Sequence, residues 1–276
     1  MITAKLQNMK STKLFLTTIT IISCCMVSCI KDNFSRRSGS AFTIVNAVIG
    51  SNLLMTDFNG TGNSKTTDTL KWFVGNGANA NYAALNSFVE ISSYTGPIHL
   101  SLFNYPDTFH VIISGSFDLP VGSIHSLFVM GTLTQPDTLF TTDMPRYHPA
   151  SDSSIGIRFV NLCSGSNPVS VIVKLNSAGT IVSNSINNLP YKNVTDFNNF
   201  PCVASDSTYK FEFHDPSSNA LLATYTMSAI NNGTGVAPAL TNTNAFRFRN
   251  FTIVFKGLAG GTGASAPGAF LVNDTF

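Results

Sequence analysis

The chain has 276 residues, of which 11% are charged, against about 25% in a typical globular protein. Hydrophobic residues make up 43%, enough to build a substantial core, which disfavours a disordered chain. Glu and Lys are scarce whereas Thr, Phe, Val and Ile are abundant, which favours strands over helices, and a formal net charge of +2 without a basic tract disfavours nucleic-acid binding.

Residues 1–28 are predicted to be an export signal. Lys10 and Lys13 precede a nearly uncharged run of 15 residues, Leu14–Ser28, in the order expected of a signal peptide. As a helix this run spans about 22 Å, short of the roughly 30 Å hydrocarbon core, so a cleaved signal is favoured over a membrane-spanning anchor. Cleavage removes three lysines and no acid, which changes the formal charge to −1.

The end of the signal, Met26-Val27-Ser28-Cys29, resembles the lipobox of bacterial lipoproteins, in which cleavage leaves an N-terminal Cys for acylation. The resemblance predicts lipid attachment at Cys29. A match at Ile21–Cys24 competes with it, and an ordinary secretory signal is the other alternative. Ile30–Asn33 resembles the signal that carries Bacteroidetes lipoproteins to the outer face of the outer membrane. We expect a lipid-anchored chain on the outer membrane, surface-exposed or alternatively periplasmic, with residues 29–40 as a tether.

The chain after the tether contains two copies of one β unit. Val45-Asn46 and Val160-Asn161 align at an offset of 115, and each is followed by a Gly-Ser-Asn turn at the same offset. The later strands correspond through alternating apolar residues, namely Ile98, Leu100 and Leu102 in the first copy and Tyr209, Phe211 and Phe213 in the second. Such period-two alternation is typical of strands with one buried face.

These copies predict an all-β fold of two tandem antiparallel Ig-like β-sandwich domains, at residues 41–140 and 154–276. Residues 141–153 contain two prolines and no alternation, which indicates a linker. In the first copy, strands are predicted near 41–48, 53–58, 69–75, 87–92, 97–104, 107–114 and 123–133. In the second copy, they are predicted near 155–162, 168–175, 180–186, 194–198, 207–214, 220–228 and 246–257.

A family resemblance follows from these strands. Arg158–Asn161, Val169–Val173, Tyr209–Phe213 and Phe251–Gly257 resemble the corresponding strands of the DUF4397 family. That resemblance implies Ig-like β-sandwich modules, often in tandem, in secreted and lipid-anchored bacterial proteins. It covers roughly residues 41–276 and matches the second copy better. The family offers no established catalytic residues to transfer.

No catalytic, metal or cofactor motif stands out in the sequence. The five histidines lack metal-ligand spacing, and no Gly-x-Ser-x-Gly elbow is present. Gly261–Ala266 matches G-x-G-x-x-A, but Pro267-Gly268 opposes the helix that a dinucleotide site requires. We predict a turn there, leading into a last strand at 269–273. Exposed strand positions are predicted for His99, His110 and His214. We expect a protein that is not an enzyme and uses no cofactor.

Two kinds of covalent site are predicted in the exported part. Cys163 and Cys202 are either a disulfide, which an oxidising periplasm permits, or two buried thiols. Three tripeptides resemble the Asp-Ser/Thr-aliphatic pattern used for O-glycosylation of exported Bacteroidetes proteins, and the acceptors they would supply are Thr69, Thr138 and Ser207.

These observations favour a non-enzymatic, lipid-anchored cell-envelope protein that acts as a structural, adhesive or assembly module. The alternative is a carbohydrate-binding accessory surface lipoprotein, because several tyrosines fall in predicted loops or linkers, where exposed rings could stack on sugars. They are Tyr82, Tyr94, Tyr105, Tyr147 and Tyr191. The partners expected are the membrane, through the lipid anchor, and a protein or glycan of unknown identity.

Overall fold

The described part of the chain consists almost entirely of strands and turns. The computed structural model describes residues 39–58, 73–76, 88–149, 151–152, 154–175, 179–182, 185–202, 208–228 and 246–274. These ranges contain eighteen strands and one short 3-10 turn, Gly263–Ser265, with no α-helix among them. None of the helical structure in these ranges has the length and hydropathy needed to cross a bilayer.

The first eight strands form a sandwich of two four-stranded sheets. They are β1 (Gly39–Asn46), β2 (Leu53–Asp57), β3 (Phe73–Gly75), β4 (Phe88–Tyr94), β5 (Gly96–Asn104), β6 (Val111–Leu119), β7 (Ile124–Gly131) and β8 (Pro136–Thr142). One sheet has the order β4-β1-β7-β8 and the other has the order β3-β2-β5-β6.

The remaining ten strands form a second sandwich. They are β9 (Ser154–Ser164), β10 (Val169–Leu175), β11 (Thr180–Ile181), β12 (Ile186–Leu189), β13 (Asn193–Val194), β14 (Asn198–Pro201), β15 (Thr208–His214), β16 (Leu221–Ser228), β17 (Asn250–Leu258) and β18 (Gly268–Asp274). One sheet has the order β13-β9-β17-β18, with β14 also on β9. The other has the order β11-β10-β15-β16, with β12 also on β10.

The all-β sandwich fold is therefore confirmed, and the two sandwiches share one topology. In each, the first strand pairs in parallel with the second-to-last strand (β1 with β7, β9 with β17), while the other strand pairings are antiparallel. The sequence located most strands to within a few residues. It missed β8, part of which was assigned to the linker, and it merged the short strands β11 and β12. The strand predicted at 194–198 covers only the end of β13 and the start of β14.

Two buried asparagines show the duplication at atomic level. Asn46 donates from Nδ2 to the Val74 carbonyl oxygen at 3.1 Å, and its Oδ1 accepts from the Val48 amide at 3.1 Å. Asn161 repeats both bonds, to the Leu189 carbonyl oxygen at 3.0 Å and from the Cys163 amide at 3.0 Å. In each copy the side chain ties the end of the first strand to the segment that pairs with the second.

The turns that follow these asparagines also correspond. Gly50 and Gly165 have φ values of +84° and +72°, in the left-handed region that glycine adopts without steric cost. The shared Gly-Ser-Asn sequence thus marks a shared turn geometry.

Each sandwich encloses a hydrophobic core. In the first, Leu100 and Leu102 on β5 face Phe42 and Ile44 on β1. In the second, Phe211 and Phe213 on β15 pack on Phe159, whose ring centroid lies 5.6 Å from that of Phe211. These positions follow the alternation that predicted them.

A third core joins the two sandwiches, because the β4-β1-β7-β8 and β13-β9-β17-β18 sheets pack their outer faces together. We call it the interface core, and its buried members are Val45, Ala47, Phe128, Met130, Val160, Leu162, Val254, Phe270 and Val272. Strands β1, β7, β9 and β17 are consequently buried on both faces. The layers are four stacked sheets with three cores between them, all within the compact unit Ser38–Phe276.

Polar contacts cross the same boundary. Arg158 on β9 donates to both carboxylate oxygens of Asp143, at 2.6 and 3.0 Å, and Asp143 also accepts from Ser126 on β7 at 2.5 Å. Lys256 on β17 donates to Asn76 Oδ1 at 2.6 Å. Burial lowers the pKa of Lys256 to about 8. The predicted division into two domains joined by a linker at 141–153 stays a prediction.

Candidate functional site

The structure gives the glycine-rich motif a structural role. Gly263–Ser265 forms a 3-10 turn that leads into β18, as the sequence interpretation predicted, and the Thr262 amide donates to Ser265 Oγ at 3.2 Å. Within the described ranges, no group of three or more His, Cys, Asp or Glu side chains is placed to hold a metal ion.

The histidine predictions need two corrections, one for the position of His110 and one for the burial of His214. His99 lies exposed on β5, where its Nδ1 meets Ser116 Oγ at 2.8 Å, and His110 is exposed in the turn before β6. His214 was predicted to be exposed but is buried at the end of β15. Its Nε2 lies 3.2 Å from Glu212 Oε2, and Glu212 also pairs with Lys174 at 2.8 Å. Mutual pairing allows these polar groups to be buried on an outer sheet face.

The predicted disulfide alternative is wrong. Cys163 and Cys202 are both buried, but β14 pairs antiparallel with β9 so that Pro201 lies opposite Ser154. Cys202 is therefore at the opposite end of β9 from Cys163, roughly 30 Å away at about 3.3 Å per residue. Disulfide geometry requires Cα atoms within about 7 Å. Burial raises the pKa of the Cys163 thiol to about 11, which makes it unreactive.

The predicted modification sites fall mostly outside the described residues. Cys29, Thr69 and Ser207 are outside them, so lipid attachment and glycosylation at these positions stay predictions. Thr138 lies half-buried on β8, an edge strand paired with β7, and its amide donates to Asp137 Oδ1 at 2.8 Å.

The five tyrosines have different surroundings. Tyr82 lies outside the described residues, and Tyr94 ends β4. Tyr105 and Tyr147 are exposed, as the carbohydrate alternative requires. Tyr191 is instead half-buried against the interface core, with its hydroxyl 3.3 Å from Asp137 Oδ2, so its role is to join the sandwiches.

Exposed aromatic rings gather at one end of the β3-β2-β5-β6 sheet. Tyr105 and Phe73 are 45% and 39% exposed, and their ring centroids lie 5.5 Å apart with an interplanar angle of 85°. Phe109, 79% exposed, lies in the same β5–β6 turn as Tyr105. We call Phe73, Tyr105 and Phe109 the aromatic surface. Exposed aromatic clusters on a folded protein mark interaction sites more often than scattered single residues do.

Strand pairing places these rings together. Phe73 on β3 pairs with Met55 on β2, and Met55 pairs in turn with Phe103 on β5. Tyr105 follows two residues after Phe103, so it lies on the same sheet face, and its amide donates to the Leu53 carbonyl oxygen at 3.0 Å. The Phe73–Tyr105 pair thus rests on regular hydrogen-bonded strands.

Asp107 fixes the turn that carries Phe109. Its Oδ1 accepts from the Phe109 amide at 2.9 Å and from the His110 amide at 3.2 Å, and its Oδ2 lies 2.7 Å from His110 Nδ1. The Phe109 amide and the contacts with His110 lower the pKa of Asp107 below its ordinary value. A carboxylate and an imidazole therefore lie beside the exposed rings, in a turn held by several local hydrogen bonds.

Sequence reasoning identified Tyr105 but not its two aromatic neighbours. Phe73 and Phe109 were assigned to predicted strands, where the default role of a Phe is core packing. The segment Tyr105-Pro106-Asp107-Thr108-Phe109 does carry a usable signal, because Pro and Asp favour a turn and a turn exposes its aromatic residues.

The comparisons with known proteins add only distant structural likenesses. No protein-family model matches this chain, and no curated protein matches it. The TIE protein of Bacillus anthracis is 7% identical with a TM-score of 0.22, over 70% of this chain and 32% of that one. The chain thus spans about a third of that protein. The DUF4397 resemblance stays a prediction.

Two further structures are matched over most of their length. Family 41 carbohydrate-binding modules of streptococcal virulence factors, described as recognising α-glucan, are 9% identical with a TM-score of 0.24, over 84% of this chain and 96% of theirs. A candidate polysaccharide-binding protein (DUF1812) of Bacteroides thetaiotaomicron is 10% identical with a TM-score of 0.25, over 86% and 96%. At TM-scores this low, the likenesses support no conclusion about what this chain binds.

Proposed function

We propose that this chain is a non-enzymatic, lipid-anchored cell-envelope protein that acts as an adhesive module. The observation that carries the proposal is the aromatic surface at the end of the β3-β2-β5-β6 sheet, one of four stacked sheets. It consists of Phe73, Tyr105 and Phe109. Burying exposed apolar rings against a partner gains free energy in proportion to the area covered. A stiff β scaffold keeps the rings in place before binding, which lowers the entropic cost of association.

The aromatic surface favours carbohydrate as its ligand, and a protein partner is the alternative. A pyranose ring has one apolar C–H face and a polar edge, and it can lie on an aromatic ring while its hydroxyl groups form hydrogen bonds. The aromatic surface offers both, because the Tyr105 hydroxyl and the Asp107–His110 pair lie in the same turn as its rings. A purely apolar protein partner would leave the Asp107–His110 pair desolvated without compensation.

The glycan reading is tested by binding the mature chain to a glycan array. We expect a specific set of glycans to bind, and we expect the double variant F73A/Y105A to lose them. Val121→Ala is the matched control, since Val121 is 70% exposed in a different turn, after β6. An array with no specific hit, or hits that F73A/Y105A retains in full, would remove the carbohydrate alternative and leave a protein partner as the adhesive target.

The anchor is tested separately by fractionation. Cys29→Ala is expected to move the protein from the membrane fraction to the soluble fraction, whereas Cys24→Ala should leave it on the membrane. Protease treatment of intact cells then distinguishes the outer surface from the periplasm, because only a surface protein is degraded. Unchanged membrane association of Cys29→Ala would contradict attachment at this cysteine.

A further inference from the structure

A cleft lies where the segment between the sandwiches passes beside the β13–β14 connection. This cleft has a volume of about 280 Å³. Met144 and Arg146 line it from one side, and Thr195, Asp196 and Phe197 line it from the other. We call it the linker cleft. Boundaries between packed domains are common places for small-ligand sites, and this volume is near the lower end of their usual range.

Arg146 is held in position but keeps most of its hydrogen-bonding capacity. Asn250 fixes its backbone, accepting from the Arg146 amide at 3.3 Å and donating to its carbonyl oxygen at 2.9 Å. Arg146 Nη1 donates to the Phe197 carbonyl oxygen at 3.2 Å. A guanidinium group has five N–H donors, and this is the single bond that the described residues provide to the Arg146 guanidinium, so donors remain for a ligand.

Asp196 supplies the complementary group. Asp196 is an exposed residue of the cleft lining, and its carboxylate forms no ion pair with Arg146 or with any other cation of the described residues. Two opposite charges therefore line one small cleft without neutralising each other. The space between them is bordered by a donor on one side and an acceptor on the other.

The floor of the cleft is fixed and combines the Phe197 ring with the Arg158 guanidinium. Phe197 is buried, and the Arg158 guanidinium carbon lies 4.6 Å from its ring centroid. Arg158 is itself fully engaged, because it pairs with Asp143 and, at 3.4 Å, with Asp274. Met144, 84% exposed, adds an apolar edge at the mouth. This arrangement gives a ligand an apolar surface below and polar groups at both sides.

The charges around the cleft favour a neutral ligand. Arg158 also lines the cleft, but Asp143 and Asp274 balance its charge, so an anion would pair with Arg146 alone and would also meet Asp196. A cation would meet Arg146. Adjacent hydroxyl groups of a neutral sugar can accept from Arg146 and donate to Asp196 at the same time, since each hydroxyl has one donor and two acceptor sites.

We propose that the linker cleft binds a single neutral pyranose unit through a pair of adjacent hydroxyl groups, with Arg146 and Asp196 as the two polar contacts. The site is separate from the aromatic surface, which lies on the first sandwich. The inference shares the ligand class of the proposed function but uses different residues. The two can therefore fail independently.

The test uses saturation-transfer NMR on the mature protein with methyl glycosides of glucose, mannose and galactose as neutral probes. Glucuronate and glycine serve as the anionic and zwitterionic probes. We expect at least one neutral glycoside to bind, and Arg146→Ala and Asp196→Ala each to weaken its Kd about tenfold or more, as loss of a charge-assisted hydrogen bond does. Arg249→Ala is the matched control, because Arg249 is exposed and does not line the cleft.

The outcomes separate the two proposals. Glycoside binding that is lost in Arg146→Ala but kept in F73A/Y105A supports the linker cleft whatever the glycan array shows. Absence of any neutral glycoside signal, or a signal that Arg146→Ala and Arg249→Ala affect equally, would overturn it. Arg146-dependent binding of glucuronate or glycine in preference to the glycosides would overturn the neutral-sugar assignment. Equal urea midpoints for Arg146→Ala and wild type exclude loss through misfolding.

Discussion

Replacing Phe128 with alanine tests the interface core that joins the two sandwiches. Phe128 is fully buried on β7, where it pairs with Val45 on β1 and Leu139 on β8. The facing sheet contributes Val160 and Val254 to the same core. Removing a buried phenyl ring costs about 3–5 kcal/mol, as lost apolar burial plus the cavity left behind. We expect Phe128→Ala to lower the free energy of unfolding of the whole chain by that amount.

Equilibrium urea unfolding of the mature protein, followed by circular dichroism, measures the change. Phe109→Ala is the matched control, because it removes the same ring from a position that is 79% exposed, and we expect its effect to stay within about 0.5 kcal/mol. A loss below about 1 kcal/mol for Phe128→Ala would mean that the interface core does not form in solution. The four-sheet stack would then be refuted, although each sandwich alone could still be correct.

Three further predictions follow from buried polar groups. Asn161→Ala and Asn46→Ala should each lower the free energy of unfolding in urea by about 1–3 kcal/mol, because each leaves a buried carbonyl oxygen and a buried amide without a partner. A large loss at only one of the two positions would contradict the duplication. Peptide mapping without reduction should recover the Cys163 and Cys202 peptides separately, whereas one linked peptide would contradict the β9–β14 register. Burial raises the pKa of Asp274 to about 6, above its ordinary 3.8, so the folded chain retains a proton that the unfolded chain releases. The Asp274 contribution to stability should therefore fall as the pH rises from about 4 to 6, and Asp274→Asn should remove that slope relative to wild type; identical slopes would contradict it.

The sequence predicted the outer cores well where their strands alternate. Leu100 and Leu102 on β5 leave one face apolar, and Phe211 and Phe213 do the same on β15. Local period-two patterning decides such positions without knowledge of the neighbouring chain. The strand predictions therefore held for β5 and β15.

The interface core was missed although its signal is present. Four consecutive residues of β7 are apolar: Leu127, Phe128, Val129 and Met130. A continuous apolar run of this kind is typical of a strand that is buried on both faces. Taken alone, such an apolar run does not show that a second core covers the other face of the strand. Knowing that two sandwiches pack sheet against sheet requires the long-range pairing of β1 with β7 and of β9 with β17.

The candidate sites depended even more on pairing between distant segments. Phe73 and Tyr105 are 32 positions apart in the chain, and the registers of β3, β2 and β5 bring them together. Arg146 and Asp196 line the same cleft because Asn250 and Phe197 hold the segment between the sandwiches against the second one. Residue type alone could not predict that Arg146 and Asp196 line one cleft. It likewise could not predict that Cys163 and Cys202 lie far apart.

Adhesion through the aromatic surface is the central claim, and a binding isotherm tests it most directly. The mature protein, F73A/Y105A and Val121→Ala would be titrated with the strongest glycan from the array. We predict that F73A/Y105A binds about fivefold or more weakly, from the loss of two ring contacts of about 0.5–1.5 kcal/mol each, while Val121→Ala matches wild type. Equal affinities for all three proteins would contradict the claim.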